Sequence, residues 1–156
     1  MQTLLMVLVL VVALVAAIGV LFVVGMRRRW PAVIQGVRRV STVTNRLVLR
    51  SAGSPGSPNS VVGHVGRRSG SAYRTPVVTA RTDDGFAVAL PYGPDTDWLK
   101  NVLAAGGAVI QVDGEEHEVG RPEVVDIDVA DHWFAAKEQR MHRQFGVPLA
   151  LLVSSS

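Results

Sequence analysis

Within this 156-residue chain, Gly66-Arg67-Arg68-Ser69-Gly70 is the stretch whose residue types could do chemistry. Two glycines bound a pair of guanidinium groups and a hydroxyl, between an apolar run over residues 61–65 and another over 76–80. That pattern predicts a strand, a tight basic turn and a second strand. Such a turn can aim backbone N–H groups, Arg67, Arg68 and Ser69 at a single anion. The blander reading is a hairpin tip whose arginines serve solubility. No Gly-Lys-Ser/Thr follows, so the phosphate loop of nucleoside triphosphatases is absent.

Further along, Leu90-Pro91-Tyr92-Gly93 ends a strand, and Asp97-Trp98-Leu99-Lys100-Asn101 opens a helix. Trp98 and Asn101 are three apart and share a helix face, at an end whose free N–H groups favour an anion. A lone helical tryptophan is by default a core residue, yet one side chain can wall a core and a pocket together. Other chemistries find no support. The chain has no cysteine, which removes thiolate nucleophiles, thiolate metal sites and disulfides. His64, His117, His132 and His142 are scattered, so no metal site is expected. Nothing marks a serine as a nucleophile beside a base.

The elements that must position these residues follow from turn signals. Strands are predicted near residues 60–65, 73–81 and 86–91, with Asp84-Gly85 turning the last pair. Asp95 or Thr96 can cap a helix over 97–105, closed by Gly106-Gly107. Strands over 108–112 and 115–119 flank Asp113-Gly114, and another covers 123–127. A helix from Asp128 to Phe145 is stopped by Gly146 and Pro148. Six short strands with few helices predict a mainly β (α+β) domain, a small closed or partly open barrel.

Ahead of that domain, residues 1–26 carry no charged side chain and are long enough to cross a hydrocarbon core of about 30 Å. Arg27, Arg28 and Arg29 follow the run directly, the reverse of a signal peptide's order. The positive-inside rule then puts the N-terminus outside and the following domain in the cytoplasm. From Pro31 onward Val33, Val37, Val40, Thr44 and Leu47 recur at helical spacing, with Arg38, Arg39, Arg46 and Arg50 between them. This basic amphipathic segment, 27–52, can lie on anionic lipid at about 1 kcal/mol per basic residue, or pack its apolar stripe on the domain. Residues 53–58, Gly-Ser-Pro-Gly-Ser-Pro, read as a linker, and the domain spans 59–153. Residues 27–82 hold eleven arginines and no acid, whereas residues 83–156 hold thirteen acids against five bases. Beside a membrane span, and without a nucleic-acid motif, such a basic face implies lipid and not nucleic acid.

The basic glycine-bounded turn, the proline at position 76 and the later Trp98-x-x-Asn101, in that order, resemble the deazaflavin-dependent nitroreductase and quinone reductase family of actinobacteria. The likeness covers residues 61–112. It implies a split β-barrel of the flavin and deazaflavin type, and the deazaflavin coenzyme F-420 as cofactor, with flavin mononucleotide the alternative. By that resemblance Arg67, Arg68 and Ser69 would hold the phosphodiester and acidic tail, and Arg74, Thr75 and Pro76 would line the next stretch. Leu90, Pro91 and Tyr92 would run beside the ring, with Asp97, Trp98 and Asn101 closing the site. Hydride would pass to a quinone-like or nitroaromatic acceptor, a lipid-soluble quinone being at hand beside an anchor, and a homodimer is compatible. The chain departs from the pattern in places. Tyr73 stands where family members often carry arginine, and Arg74 comes one residue later, which in a strand turns it to the other face. Asp97 stands where a proline and another residue are common, and Gly106-Gly107 replaces Asn-Pro. Tyr73 and Tyr92 are the only tyrosines, so a C-terminal tyrosine has no counterpart and no acceptor-activating residue can be named. A membrane-tethered module that binds a cofactor, lipid or haem without catalysis, and a split-barrel oxidase using flavin mononucleotide, are the competing readings.

Overall fold

Apolar runs rich in valine, separated by glycine turns, become seven antiparallel strands in the computed structural model, which describes residues 1–155. They are β1 (Ser60–Val65), β2 (Ala72–Val77), β3 (Thr79–Arg81), β4 (Gly85–Ala89), β5 (Gly107–Val112), β6 (Glu115–Asp126) and β7 (Leu149–Ser155). One sheet joins them in the order β2-β1-β5-β6-β7-β4-β3. The predicted strand over 73–81 is therefore two arms, β2 and β3, broken at Val78 and lying at opposite edges of the sheet. That bend carries the chain from one edge to the other and curls the sheet into a split barrel. Ser60 Oγ and Thr79 Oγ1, 2.6 Å apart, tie the two sides of the seam.

Inside the barrel, Val62, Phe86, Val88, Ile110 and Leu151 pack against Leu99 and Val102 of α3 (Asp97–Ala105), which plugs one end. Each of these side chains is almost fully buried, and burying one Val, Leu, Ile or Phe is worth about 1.5–3 kcal/mol. On the outer face Ala87, Ala89 and Ala150 are small enough to admit Ala130 and Phe134 in a second cluster. β4 and β7 are thus buried on both sides, so their sequences run apolar without alternation.

β7 is the strand that sequence patterning does not show. Leu149-Ala150-Leu151-Leu152-Val153 lacks a period and runs into serines, yet it pairs with β4 and with β6 at the sheet's middle. Two of the terminal serines, Ser154 and Ser155, extend it, and Ser156 lies outside the described residues. The predicted strands 115–119 and 123–127 are one, β6, with a bulge between Gly120 and Glu123 where Arg121 takes a positive φ of 50°. The expected long helix from Asp128 to Phe145 is divided. α4 (Ile127–Ala130) and a 3-10 turn (Asp131–Trp133) precede α5 (Ala136–Phe145), because Phe134 leaves helical geometry to enter the outer core. His142 and Asp131, 2.7 Å apart, hold the two pieces together.

Two helices precede the barrel, α1 (Gln2–Arg27) and α2 (Pro31–Val48). α1 is long and apolar enough to cross a membrane, and only Gly25 and Met26 in it are buried. Its end rests on the end of α5, where Phe22 meets Phe145 edge-on and Arg27 Nη1 donates to the Arg143 carbonyl at 3.1 Å. The segment read as a linker is fastened down. Gly114 N–H donates to the Gly53 carbonyl at 2.6 Å, and Gly56 N–H to Asp113 Oδ1 at 3.2 Å.

Candidate cofactor site

The basic turn owes its shape to its glycines. Gly66 exchanges backbone hydrogen bonds with Ser71 and Gly70, both at 2.8 Å, and Gly70 adopts a φ of 67° that other residues rarely tolerate. A side chain on Gly66 would collide with Ser69 Oγ and the Tyr73 ring. Within this frame Arg67 turns back onto α3. Its backbone N–H and Nη1 both donate to Asn101 Oδ1, at 3.1 and 2.8 Å, and Nη2 meets Asp97 Oδ1 at 3.0 Å. Asp97 is largely exposed, so this ion pair contributes little by itself. Its geometry matters more, since it bolts the turn to the helix start. The hydrogen bond from Arg67 holds the Asp97 carboxyl below its ordinary value, helped by the charges of Arg67, Lys100 and Arg38.

Two donors on Asn101 Oδ1 leave its amide nitrogen to donate to His64 Nδ1, 3.2 Å away. His64 Nε2 then carries the hydrogen and donates to Thr75 Oγ1 at 3.1 Å. The imidazole also stacks on Tyr73, with ring centroids 5.7 Å apart. Burial lowers the His64 pKa from the ordinary 6.5, so the ring is neutral in the fold at neutral pH. Below pH 6.5 the unfolded chain binds more protons than the folded one, and stability falls as pH drops from there through the folded value. Above 6.5 this contribution is complete. His64→Gln is therefore expected to flatten the fall in Tm between pH 7 and pH 5, and an unaltered slope would show that His64 does not cause it.

These groups border a cavity of about 550 Å³. Arg67, Arg68 and Ser69 of the turn, Thr75 and Arg74 of β2, and Tyr92, Asp97, Trp98 and Asn101 all line it. Three expected residues do not. Leu90 faces the barrel core at 2 % exposure, and only the next-but-one residue, Tyr92, reaches the cavity. Pro91 begins the turn that Gly93 closes, and Pro76 pairs with Val61, whose side chain leaves the sheet away from the barrel interior. Arg74, one residue late, hydrogen-bonds Gln111 on β5 through its guanidinium and still borders the cavity.

Residues that the sequence reading did not select complete the walls. Arg38, Ser41 and Asn45, spaced by three and four, present one side of α2 to the cavity, and Ser41 Oγ meets Tyr92 Oη at 3.0 Å. The α1–α2 corner sits on the same rim, with Arg29 packed over Gly93. A polar stripe beside the apolar one was the available signal. His64 and Tyr73 are cross-strand partners at the turn end of β1 and β2, which a period-two count places on the inner face with Val62.

The residues present suit a ligand with an anionic end and a flat polar ring. Arg38 and Arg68 provide charge, and Tyr73, Tyr92 and Trp98 provide ring surface. Thr96, which lines the cavity at 7 % exposure, buries a hydroxyl that has no partner among the described residues. A buried hydroxyl left so costs about 1–3 kcal/mol, which a ligand atom can offset. Among the described residues no cluster of His, Asp and Glu could hold a metal ion.

A solved structure described as an F420-H2 dependent reductase (FDR-A) aligns with a TM-score of 0.47 at 17 % identity, over 60 % of this chain and 92 % of its own. Another, described as a domain-swapped dimer, aligns with a TM-score of 0.49 at 13 % identity, over 76 % of this chain and 99 % of its own. No curated protein matches the sequence. The model of the F420H(2)-dependent quinone reductase family, by contrast, matches residues 37–152, from within α2 into β7, and the chain belongs to that family.

Proposed function

We propose that this deazaflavin-dependent oxidoreductase works at a membrane surface, reducing a quinone-like acceptor that reaches it from the bilayer, with a nitroaromatic as the alternative acceptor. The observation that carries this reading is the shared wall. α2 follows the apolar α1 after a three-residue corner, and its Arg38, Ser41 and Asn45 border the same cavity as the basic turn. The rest of α2 supports it, since Val40, Leu47, Arg39 and Arg46 are exposed. Apolar and basic groups on one helix suit an anionic leaflet.

When bound, the reduced coenzyme supplies a hydride from its ring carbon. The chain's own residues bind, orient and shield. Arg68 and the N–H groups of the turn hold anionic groups, and Arg67 keeps that turn against α3. Trp98, Tyr92 and Tyr73 offer apolar faces to a ring, and the hydroxyls of Thr75 and Thr96 offer hydrogen bonds. Placing α2 over the cavity keeps out bulk water and sets the opening beside the lipid. The arginines after α1 put the barrel on the cytoplasmic side.

The test uses the full chain in lipid nanodiscs, titrated with coenzyme F-420, flavin mononucleotide and haem. Saturable quenching of the coenzyme's fluorescence, without comparable binding of the other two, is expected. In cells the chain should stay with membranes through a carbonate wash, and a periplasm-active reporter fused after residue 156 should be silent. Preferred binding of flavin mononucleotide or haem overturns the cofactor assignment. An active reporter, or a mature chain beginning after residue 20, overturns the anchoring.

A further inference from the structure

His64 is the buried titratable group that the binding roles above leave unused, and its hydrogen bonds have a direction. The chain of contacts starts at Arg67, whose N–H groups can only donate. Asn101 Oδ1 receives two of them, so the amide nitrogen must point to His64. Nδ1 of His64 accepts, and Nε2–H donates to Thr75 Oγ1. Each link forces the next, and reversing any one of them sets two donors face to face. Thr75 Oγ1 therefore receives a hydrogen from behind, and its own O–H is free to turn into the cavity that Thr75 lines.

We infer that Thr75 is a dedicated hydrogen-bond donor to an acceptor atom on the ligand's flat ring, a carbonyl oxygen or an unprotonated ring nitrogen, and that His64 is the positioning residue that fixes this polarity. This rests on the reading of the cavity as the coenzyme's site. The burial of the supporting pair favours the assignment, since Asn101 and His64 are 6 % and 8 % exposed and solvent does not compete for their bonds. So does the aromatic packing of Tyr73 on the imidazole, which holds the ring plane. An alternative partner inside the fold is missing, because no other hydrogen bond reaches the Thr75 hydroxyl among the described residues. The arrangement also couples the two ends of the ligand. The arginine that shapes the anion-binding turn sets, through Asn101 and His64, the direction of a hydroxyl beside the ring.

The test measures binding of oxidised coenzyme F-420 to the full chain in nanodiscs by fluorescence quenching. Thr75→Val is isosteric and is expected to raise Kd about tenfold, a loss typical of one hydrogen bond in a dry site. Thr75→Ser should remain within about twofold of the parent, since it keeps the donor. His64→Leu should weaken binding in the Thr75 parent and add little when combined with Thr75→Val, because the two act in series. Nitrogen-15 NMR of the histidines supplies a readout independent of binding: His64 should be the neutral tautomer protonated at Nε2. A Kd unmoved by Thr75→Val in a parent that binds overturns the inference alone, as does a His64 protonated at Nδ1. A parent that does not bind the coenzyme takes down the cofactor reading as well, and the tautomer is then still measurable by itself.

Discussion

Arg68→Ala is expected to raise the dissociation constant for the coenzyme on the order of 10- to 100-fold and to leave thermal stability unchanged. The magnitude is that of one charge-assisted hydrogen bond, about 1.5–3 kcal/mol. The reason for choosing Arg68 over its neighbour is structural. Arg67 spends its guanidinium on Asn101 and Asp97, whereas Arg68 is exposed, lines the cavity and makes no hydrogen bond or ion pair among the described residues. Arg67→Ala should therefore lower both affinity and Tm, because it frees the turn from α3. Affinity in the parent should weaken as salt rises, and the slope should be shallower in Arg68→Ala. Titrations at two ionic strengths decide the matter. Equal constants for the parent and Arg68→Ala would return the turn to a solubility role.

Trp98→Ala should be damaging in a different way. Trp98 packs against the barrel core and also lines the cavity, so its removal opens a void shared by both. A stability loss of about 2–3 kcal/mol is expected, below the ~3–5 kcal/mol of a fully buried aromatic because part of the indole is already exposed. Binding should separate Trp98 from Arg68. With a coenzyme truncated before its acidic groups, Trp98→Ala should be the more harmful change and Arg68→Ala close to neutral. With the complete coenzyme both should be harmful. Trp98→Phe keeps a flat apolar face and should recover most of the affinity. If Trp98→Ala binds the truncated coenzyme as the parent does, the ring does not lie against Trp98.

The parts of the fold that could be read from sequence were those with punctuation. Asp113 and Gly114, with φ of 51° and 85°, form the turn that Asp-Gly between two strands announces. The end of α3 follows from Gly106, with φ of 71°, whereas at its start Thr96 takes the cap position without the expected side-chain hydrogen bond. β7 carried no such marks. Its residues are buried on both faces, so neither period two nor period 3.6 survives in them. The divided helix likewise had no proline or glycine at the break, since Phe134 leaves the helix to fill space that exists only once the sheet has formed.

At the site, local motifs pointed to Arg67, Arg68, Trp98 and Asn101, because a turn and a helix start are short-range objects. His64 and the polar stripe of α2 needed register and docking, which are long-range. The shift of arginine from position 73 to position 74 shows the difference. Strand alternation says that Arg74 faces away from the inner side, but only the pairing of β1 with β5 shows that Gln111 is there to receive it.

The place of β7 in the sheet has a consequence for how the protein is made. β4 and β6 are each synthesised before the strand that joins them, which is the last stretch of the described chain. Until Leu149–Ser155 leaves the ribosome, the sheet stands as two separate pieces with unpaired edges, and the barrel cannot close. α1 by then has long emerged, about 120 residues earlier, at synthesis rates of about 5–20 residues per second. The barrel thus lacks the strand that joins β4 to β6 until the end, and under the proposed anchoring by α1 its unpaired edges would wait at a membrane surface instead of meeting other chains in solution.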